Sequence, residues 1–244
     1  MNYTNPMWSY GSALNFHYTR TYLICLTFLL SFIFLQCDTT NSPPDDNEPS
    51  LISDNFDGEK LISNWHWSNE PDNWDLGTTQ PGWLSITGNF NSNLWCSDET
   101  SILYQLVKED IDFDVSTKLY CKWGNNSSDI AGMIIKFPSV DNWINIKFWM
   151  HGDGNARLEF QNKCDDLISP VPDYEASGGN EELYLRVVKK GNDYTGYYKP
   201  SSEVEWIMIG TTEGFDSLPI HIGIFGGVDQ GEGDLTIQID YFHK

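Results

Sequence analysis

Basic side chains are scarce in this chain of 244 residues: 14 Lys and Arg stand against 35 Asp and Glu, a net charge of −21. A surface of that sign repels phosphate, which argues against nucleic acids and anionic membrane surfaces as partners. Cysteine is sparse as well. With no Cys-x-x-Cys and no closely spaced histidine pair, nothing signals a zinc-type centre. No serine lies in a nucleophile-elbow context, so acyl-transfer chemistry has no sequence support. No segment holds a 3.6-residue apolar spacing with caps at both ends, which removes long amphipathic helices. The one extended apolar run, Tyr22–Leu35, is too short to span a bilayer.

That run has the length of an export-signal apolar core. It ends at Cys37 and is followed by DTTNSPPDDNEPS, a Pro- and acid-rich stretch without a large apolar residue. A cysteine directly after the apolar core, then a linker of this kind, resembles a bacterial lipoprotein leader. The resemblance implies that Cys37 becomes an acylated N-terminus at the outer membrane or cell surface. An ordinary cleaved signal would instead leave the domain periplasmic or secreted. The expected organisation is a leader over residues 1–37, a disordered linker over 38–50 and a folding domain over 51–244.

What is abundant is aromatic: 14% of the residues are Phe, Trp or Tyr. They fall in short runs of alternating character. In NWINIKFWM, Ile144, Ile146 and Phe148 share one face, while Trp143, Asn145, Lys147 and Trp149 share the other. Period two with one greasy side is the pattern of a half-buried antiparallel strand. ARLEFQN places Arg157 and Glu159 opposite Leu158 and Phe160, and LYLRVV places Tyr184 and Arg186 opposite Leu183, Leu185 and Val187. Gly191-Asn192 between two such runs supplies a tight hairpin turn. About ten to twelve short strands with frequent turn signals predict an all-β, two-sheet antiparallel sandwich or barrel.

Three cysteines remain in the domain, Cys96, Cys121 and Cys164. An exported chain permits disulfides. If Ser101–Glu109 forms a hairpin with the strand starting near Asp112, Cys96 and Cys121 meet at its open end, and Cys96–Cys121 is the expected bridge.

The run of segments WHWSNEPDNWDLG, GWLSITG, DFDVSTKLY, AGMIIKFPSVDNWINIKF, LYLRVVKKGNDYTGYY, EWIMIG and the terminal IDYF resembles the concanavalin A-like (jelly-roll) domain at the C-terminus of family 43 β-xylosidases and its stand-alone relatives grouped as DUF1349. The resemblance covers nearly everything from Asp54 to Phe242. It implies two stacked antiparallel sheets and an accessory or carbohydrate-recognition role. It carries over no catalytic set, because the family 43 active site lies in a separate propeller domain.

Sugar rings bind by stacking on aromatics while planar polar groups bond their hydroxyls. The expected ligand site is therefore Trp143, Asn145, Lys147, Trp149, Arg157, Glu159, Tyr184 and Arg186, with a polysaccharide or oligosaccharide as partner. Trp65, Trp67 and Trp74 lie in loop-like sequence and read as structural. Asp54, Asp57 and Asp240 could hold calcium if the two ends of the domain lie side by side. Glu159 and Asp114 are outward acids that a glycoside hydrolase or lyase would need across a cleft. A structural or protein-interaction module of a surface complex is the third reading. The expectation carried forward is a non-catalytic glycan-recognition domain.

Overall fold

The computed structural model describes residues 51–88, 100–122, 129–150, 156–164, 167–170, 174–176, 181–228 and 235–244. The predicted leader, the linker, Cys37 and Cys96 lie outside the described residues. Among those described there is no helix, and fifteen strands form two antiparallel sheets.

The first sheet, of eight strands, runs β1 (His66–Ser68), β4 (Ser101–Leu106), β14 (His221–Val228), β6 (Asp129–Lys136), β7 (Trp143–Met150), β8 (Ala156–Cys164) and β10 (Tyr174–Ala176), with β9 (Leu167–Pro170) also on β8. The second, of seven, runs β13 (Ile207–Glu213), β12 (Asp193–Lys199), β11 (Glu181–Lys190), β5 (Phe113–Lys122), β15 (Thr236–His243), β3 (Leu84–Thr87) and β2 (Asn73–Leu76). The predicted fold class is the observed one.

The core lies between the sheets. Ile144, Ile146 and Phe148 from β7 meet Leu183, Leu185 and Val187 from β11 in one cluster, every one of them buried. Both alternations read from sequence hold. Gly196 shows how tightly the layers meet: a Cβ there would sit 2.8 Å from the Phe160 ring of the other sheet. Residues 51–54 tie the two sheets together. The buried Gln105 amide on β4 accepts from Ile52 N (2.8 Å) and donates to Ile52 O (2.9 Å), standing in for a strand partner. Two residues on, Asp54 and Phe242 exchange backbone hydrogen bonds of 2.8 Å with the second sheet. The predicted hairpin turn forms, with Lys190 opposite Asp193 and Gly191 at φ 57°, where a side chain would be strained.

The expected hairpin of Ser101–Glu109 with the strand near Asp112 does not form. β4 pairs with β1 and β14 in the first sheet, and β5 pairs with β11 and β15 in the second. Residues 107–112 carry the chain from one layer to the other, so adjacency in sequence becomes stacking across the core. The geometry that argued for a Cys96–Cys121 bridge is therefore not present, although Cys121 itself is buried.

Candidate functional site

The predicted ligand set divides between the outer faces of the two sheets. Trp143, Asn145, Lys147 and Trp149 do project away from the inter-sheet core on β7, and their neighbours in register on β8 are Lys163, Gln161, Glu159 and Arg157. Accessibility is where the expectation fails. Trp143 is 0% exposed and Asn145 and Lys147 are each 1% exposed, and only Trp149 and Arg157 are half-buried. The reason lies on the adjoining strands. Ile130 and Ile134 of β6, Phe225 of β14 and Ile102 of β4 turn to the same side and form a second apolar cluster around Trp143, with Tyr104 and Trp149 packed against it.

Within this face the charges are locked. Lys147 Nζ lies 2.9 Å from Glu159 Oε2 and donates to Gln161 Oε1. Among the described residues Asn145 has no hydrogen-bond partner for either amide atom. Glu159 and Asp114, the two acids considered for catalysis, stand on the outer faces of different sheets and flank no common cleft.

The outer face of the second sheet is different: Trp83, Tyr197 and Trp206 stay half-buried and interleave with cations, although the predicted Tyr184 is itself buried, 8% exposed. Tyr184 of β11 lies in register between Lys118 of β5 and Lys199 of β12. Lys199 Nζ is 4.9 Å from the Tyr184 ring centroid and 5.0 Å from that of Trp206, and Lys118 Nζ is 4.7 Å from the Trp83 ring. One row along, Arg186 lies between Ser116 and Tyr197. Its guanidinium carbon is 5.3 Å from the Tyr197 ring and 5.6 Å from Trp206. Such cation–π geometry orders both partners, and Tyr197, Trp206 and Arg186 keep part of their surface in water.

Arg186 also grips Asp114 as a fork, with Nε donating to Oδ1 at 2.7 Å and the terminal nitrogen to Oδ2. That hydrogen bond, against partial burial, raises the guanidinium pKa above its ordinary value. Burial works against the charge on Lys118, but the Asp240 hydrogen bond and the Glu182 and Asp240 charges outweigh it and raise its pKa. Asp114, Arg186, Lys190, Thr195, Tyr197 and Thr211 line a depression of about 390 Å³. Its floor carries hydroxyls, since Thr195 and Thr211 share a 3.0 Å hydrogen bond between their side chains. A register shift between Gly196 and Tyr197 bends β12 at this point.

Tyr184 and Arg186 were legible from β11; Lys118, Tyr197, Lys199 and Trp206 were missed. The same period-two reading applied to STKLY and DYTGYYK would have found three of them. Trp206, just before β13, had no such pattern. The three early tryptophans are structural: Trp65 is buried and donates from Nε1 to Asp54 Oδ2 at 2.9 Å, and Trp67 and Trp74 pack against the core. The ends of the domain do meet, but Asp54 accepts from Phe56 N and Trp65, while Asp240 pairs with Lys118 at 3.2 Å. Among the described residues no three metal-ligating side chains gather, so Asp54, Asp57 and Asp240 do not form the expected calcium cluster.

Comparison with known proteins places this geometry. The model of the β-xylosidase C-terminal concanavalin A-like domain matches residues 53–225. Among solved structures, xylan β-1,4-xylosidase from Bacillus halodurans C-125 superposes with a TM-score of 0.64 at 17% identity, over 82% of this chain and 40% of that one. A GH43 protein from Bacillus licheniformis gives 0.63 at 17% identity, over 78% of this chain and 38% of that one. This chain thus spans well under half of either enzyme. A functionally unknown protein from Saccharomyces cerevisiae gives 0.60 at 13% identity and is covered over 96% of its length, against 74% of this chain. No curated protein matches. The two-sheet topology and the family match over most of the folded domain lead to one assignment: the chain belongs to the β-xylosidase C-terminal concanavalin A-like domain family.

Proposed function

We propose that this domain recognises glycans, without turnover, on the outer face of the second sheet. The observation that carries the reading is the half-exposed Arg186–Asp114 fork with Tyr197 and Trp206 beside it. A sugar ring stacks its C–H face on Trp206 or Tyr197. Its hydroxyls bond the carboxylate, the guanidinium and the paired threonine hydroxyls at the depression's floor. The fork holds the planar groups rigid before the ligand arrives, which limits the ordering cost of binding. The likeness to a xylan β-1,4-xylosidase makes xylan the first polysaccharide to try.

Retardation in gels containing xylan, arabinoxylan or cellulose tests this. Trp206→Ala should weaken retention about tenfold, the worth of one aromatic stacking contact, and Arg186→Ala by a similar factor or more. Full retention by both variants removes the face from the site. Ile207 and Met208, 42% and 61% exposed on edge strand β13, favour a protein-interaction role for the same surface. Concentration-dependent self-association that Met208→Ser abolishes, with no glycan response, would select that reading.

Export belongs to the proposal as well. It rests on the run Tyr22–Leu35 followed by Cys37 and an acidic, Pro-rich stretch. Radiolabelled palmitate incorporated by the native chain and not by Cys37→Ser supports lipid anchoring. Equal labelling of both contradicts it.

A further inference from the structure

A second cavity, of about 220 Å³, opens on the outer face of the first sheet, on the opposite side of the sandwich from the proposed glycan face. Ile102 and Tyr104 of β4 form one wall, Lys136 and Val140 of the β6–β7 turn another, and His221 of β14 the floor between them. The Tyr104 ring stacks on His221 with centroids 3.9 Å apart and faces His66 of β1 at 5.7 Å. The three rings stand in a row at the cavity's edge, with Tyr104 between the two imidazoles.

Two observations set this cavity apart from a packing gap. The first is Thr100, which lines it. Its side-chain hydroxyl is buried, with the residue 3% exposed, and has no hydrogen-bond partner among the described residues. A buried polar group left without a partner costs about 1–3 kcal/mol, so such a group signals a missing one. The second is charge. In a chain of net charge −21, two basic side chains, Lys136 and His221, line it. Lys136 Nζ is held at the mouth by a 3.2 Å bond to Val140 O.

We propose that this cavity binds a small monocarboxylate with a flat body. The carboxylate lies beside Lys136 and His221, the body rests on Tyr104 and Ile102, and a polar substituent meets the Thr100 hydroxyl. Cation, donor and ring are the complement of an acidic sugar or an aromatic acid. The site is independent of the glycan reading, since it shares no residue with the second sheet.

The groups facing His221 are Tyr104 on β4, Lys136 on β6 and His66 on β1. Burial first, then the charges of Lys136 and His66, hold the imidazole below its ordinary pKa of 6.5. A bound anion reverses the sign of that field and favours the imidazolium. Binding then takes up a proton and tightens as the pH falls.

Histidine side-chain NMR of the full chain, titrated with D-glucuronate, benzoate and D-glucose, tests the assignment. At least one carboxylate should shift the His66 and His221 signals saturably, and glucose should not. Which one responds distinguishes a sugar acid from an aromatic acid. Affinity should be about fivefold higher near pH 5.5 than near pH 7.5. Val140→Trp, which fills the mouth from an exposed turn, and Lys136→Met should each weaken it about tenfold, whereas Trp206→Ala should leave it unchanged. No shift with either carboxylate, an equal response to glucose, or affinity independent of pH overturns the proposal.

Discussion

Lys147 and Asn145 stand two residues apart on β7, each 1% exposed, and the surroundings give them opposite energetic signs. Lys147 is neutralised by Glu159 at 2.9 Å and bonded to Gln161. Removing one member of a buried pair strands the other charge, so Lys147→Ala should cost about 3–5 kcal/mol in urea denaturation. The double change Lys147→Met with Glu159→Leu should recover most of that loss, because it leaves no charge behind. Asn145 buries an amide without partners among the described residues, so the near-isosteric Asn145→Leu should stabilise by about 1–2 kcal/mol. A loss there would mean that the amide has a partner which only the native fold in solution supplies. The nature of these side chains was plain in the sequence; their burial was not. Alternation assigns a residue to a side of the sheet, and exposure depends on what the neighbouring strands place on that side.

At the level of the strand, that missing information was present in β6 and β14. DIAGMIIK and HIGIFGGV are nearly continuous apolar runs, and each is buried over almost its whole length. Such runs mark strands covered on both faces, and a strand hydrogen-bonded to one shares its covered outer side. β7 pairs with β6 along its length, so Trp143 joins Ile130 and Ile134 in the cluster. β11 and β12 have no such neighbour, and Tyr197 of β12 and the adjoining Trp206 stay half-buried, while Tyr184 of β11 is covered between its two lysine neighbours. The failed β4–β5 hairpin has a related cause: alternation is the same whether two consecutive strands pair side by side or stack across the core. Close approach between strands rests on glycine. A Cβ on Gly132 would lie 2.1 Å from Ile146 O, and one on Gly223 would lie 2.2 Å from Leu103 O. Backbone must move to admit either, so Gly132→Ala should destabilise by about 2–3 kcal/mol in thermal or urea unfolding, the scale of overpacking. An unchanged midpoint would show that β6 and β7 sit further apart.

Across the whole molecule the charge imbalance dominates. With a net charge of −21, self-repulsion opposes the compact state. Raising salt from about 10 to about 150 mM shortens the screening length to roughly 8 Å, and the unfolding midpoint should rise; a fall would mean that the ion pairs outweigh the repulsion. The pH limits follow from groups whose proton affinity changes on folding. His221 is held below its ordinary 6.5, so the unfolded chain takes up its proton first and stability declines as the pH drops through that value. At the alkaline end, burial above all, with the charges of Tyr184 and Asp240, pushes Tyr241 up to about 12, and burial raises Tyr194 further. The unfolded chain loses those protons first, so stability should fall as the pH rises beyond about 10. Replacing His221 with Phe should flatten the acid limb alone.

Retardation in xylan gels of two single variants, Trp206→Ala on the second sheet and Trp149→Ala on the first, addresses the glycan face most directly. Loss of retention with Trp206→Ala, about tenfold for a stacking contact, and full retention with Trp149→Ala is the predicted result. Retention lost with Trp149→Ala and kept with Trp206→Ala, or no retardation of the native chain by xylan, arabinoxylan or cellulose, would contradict it.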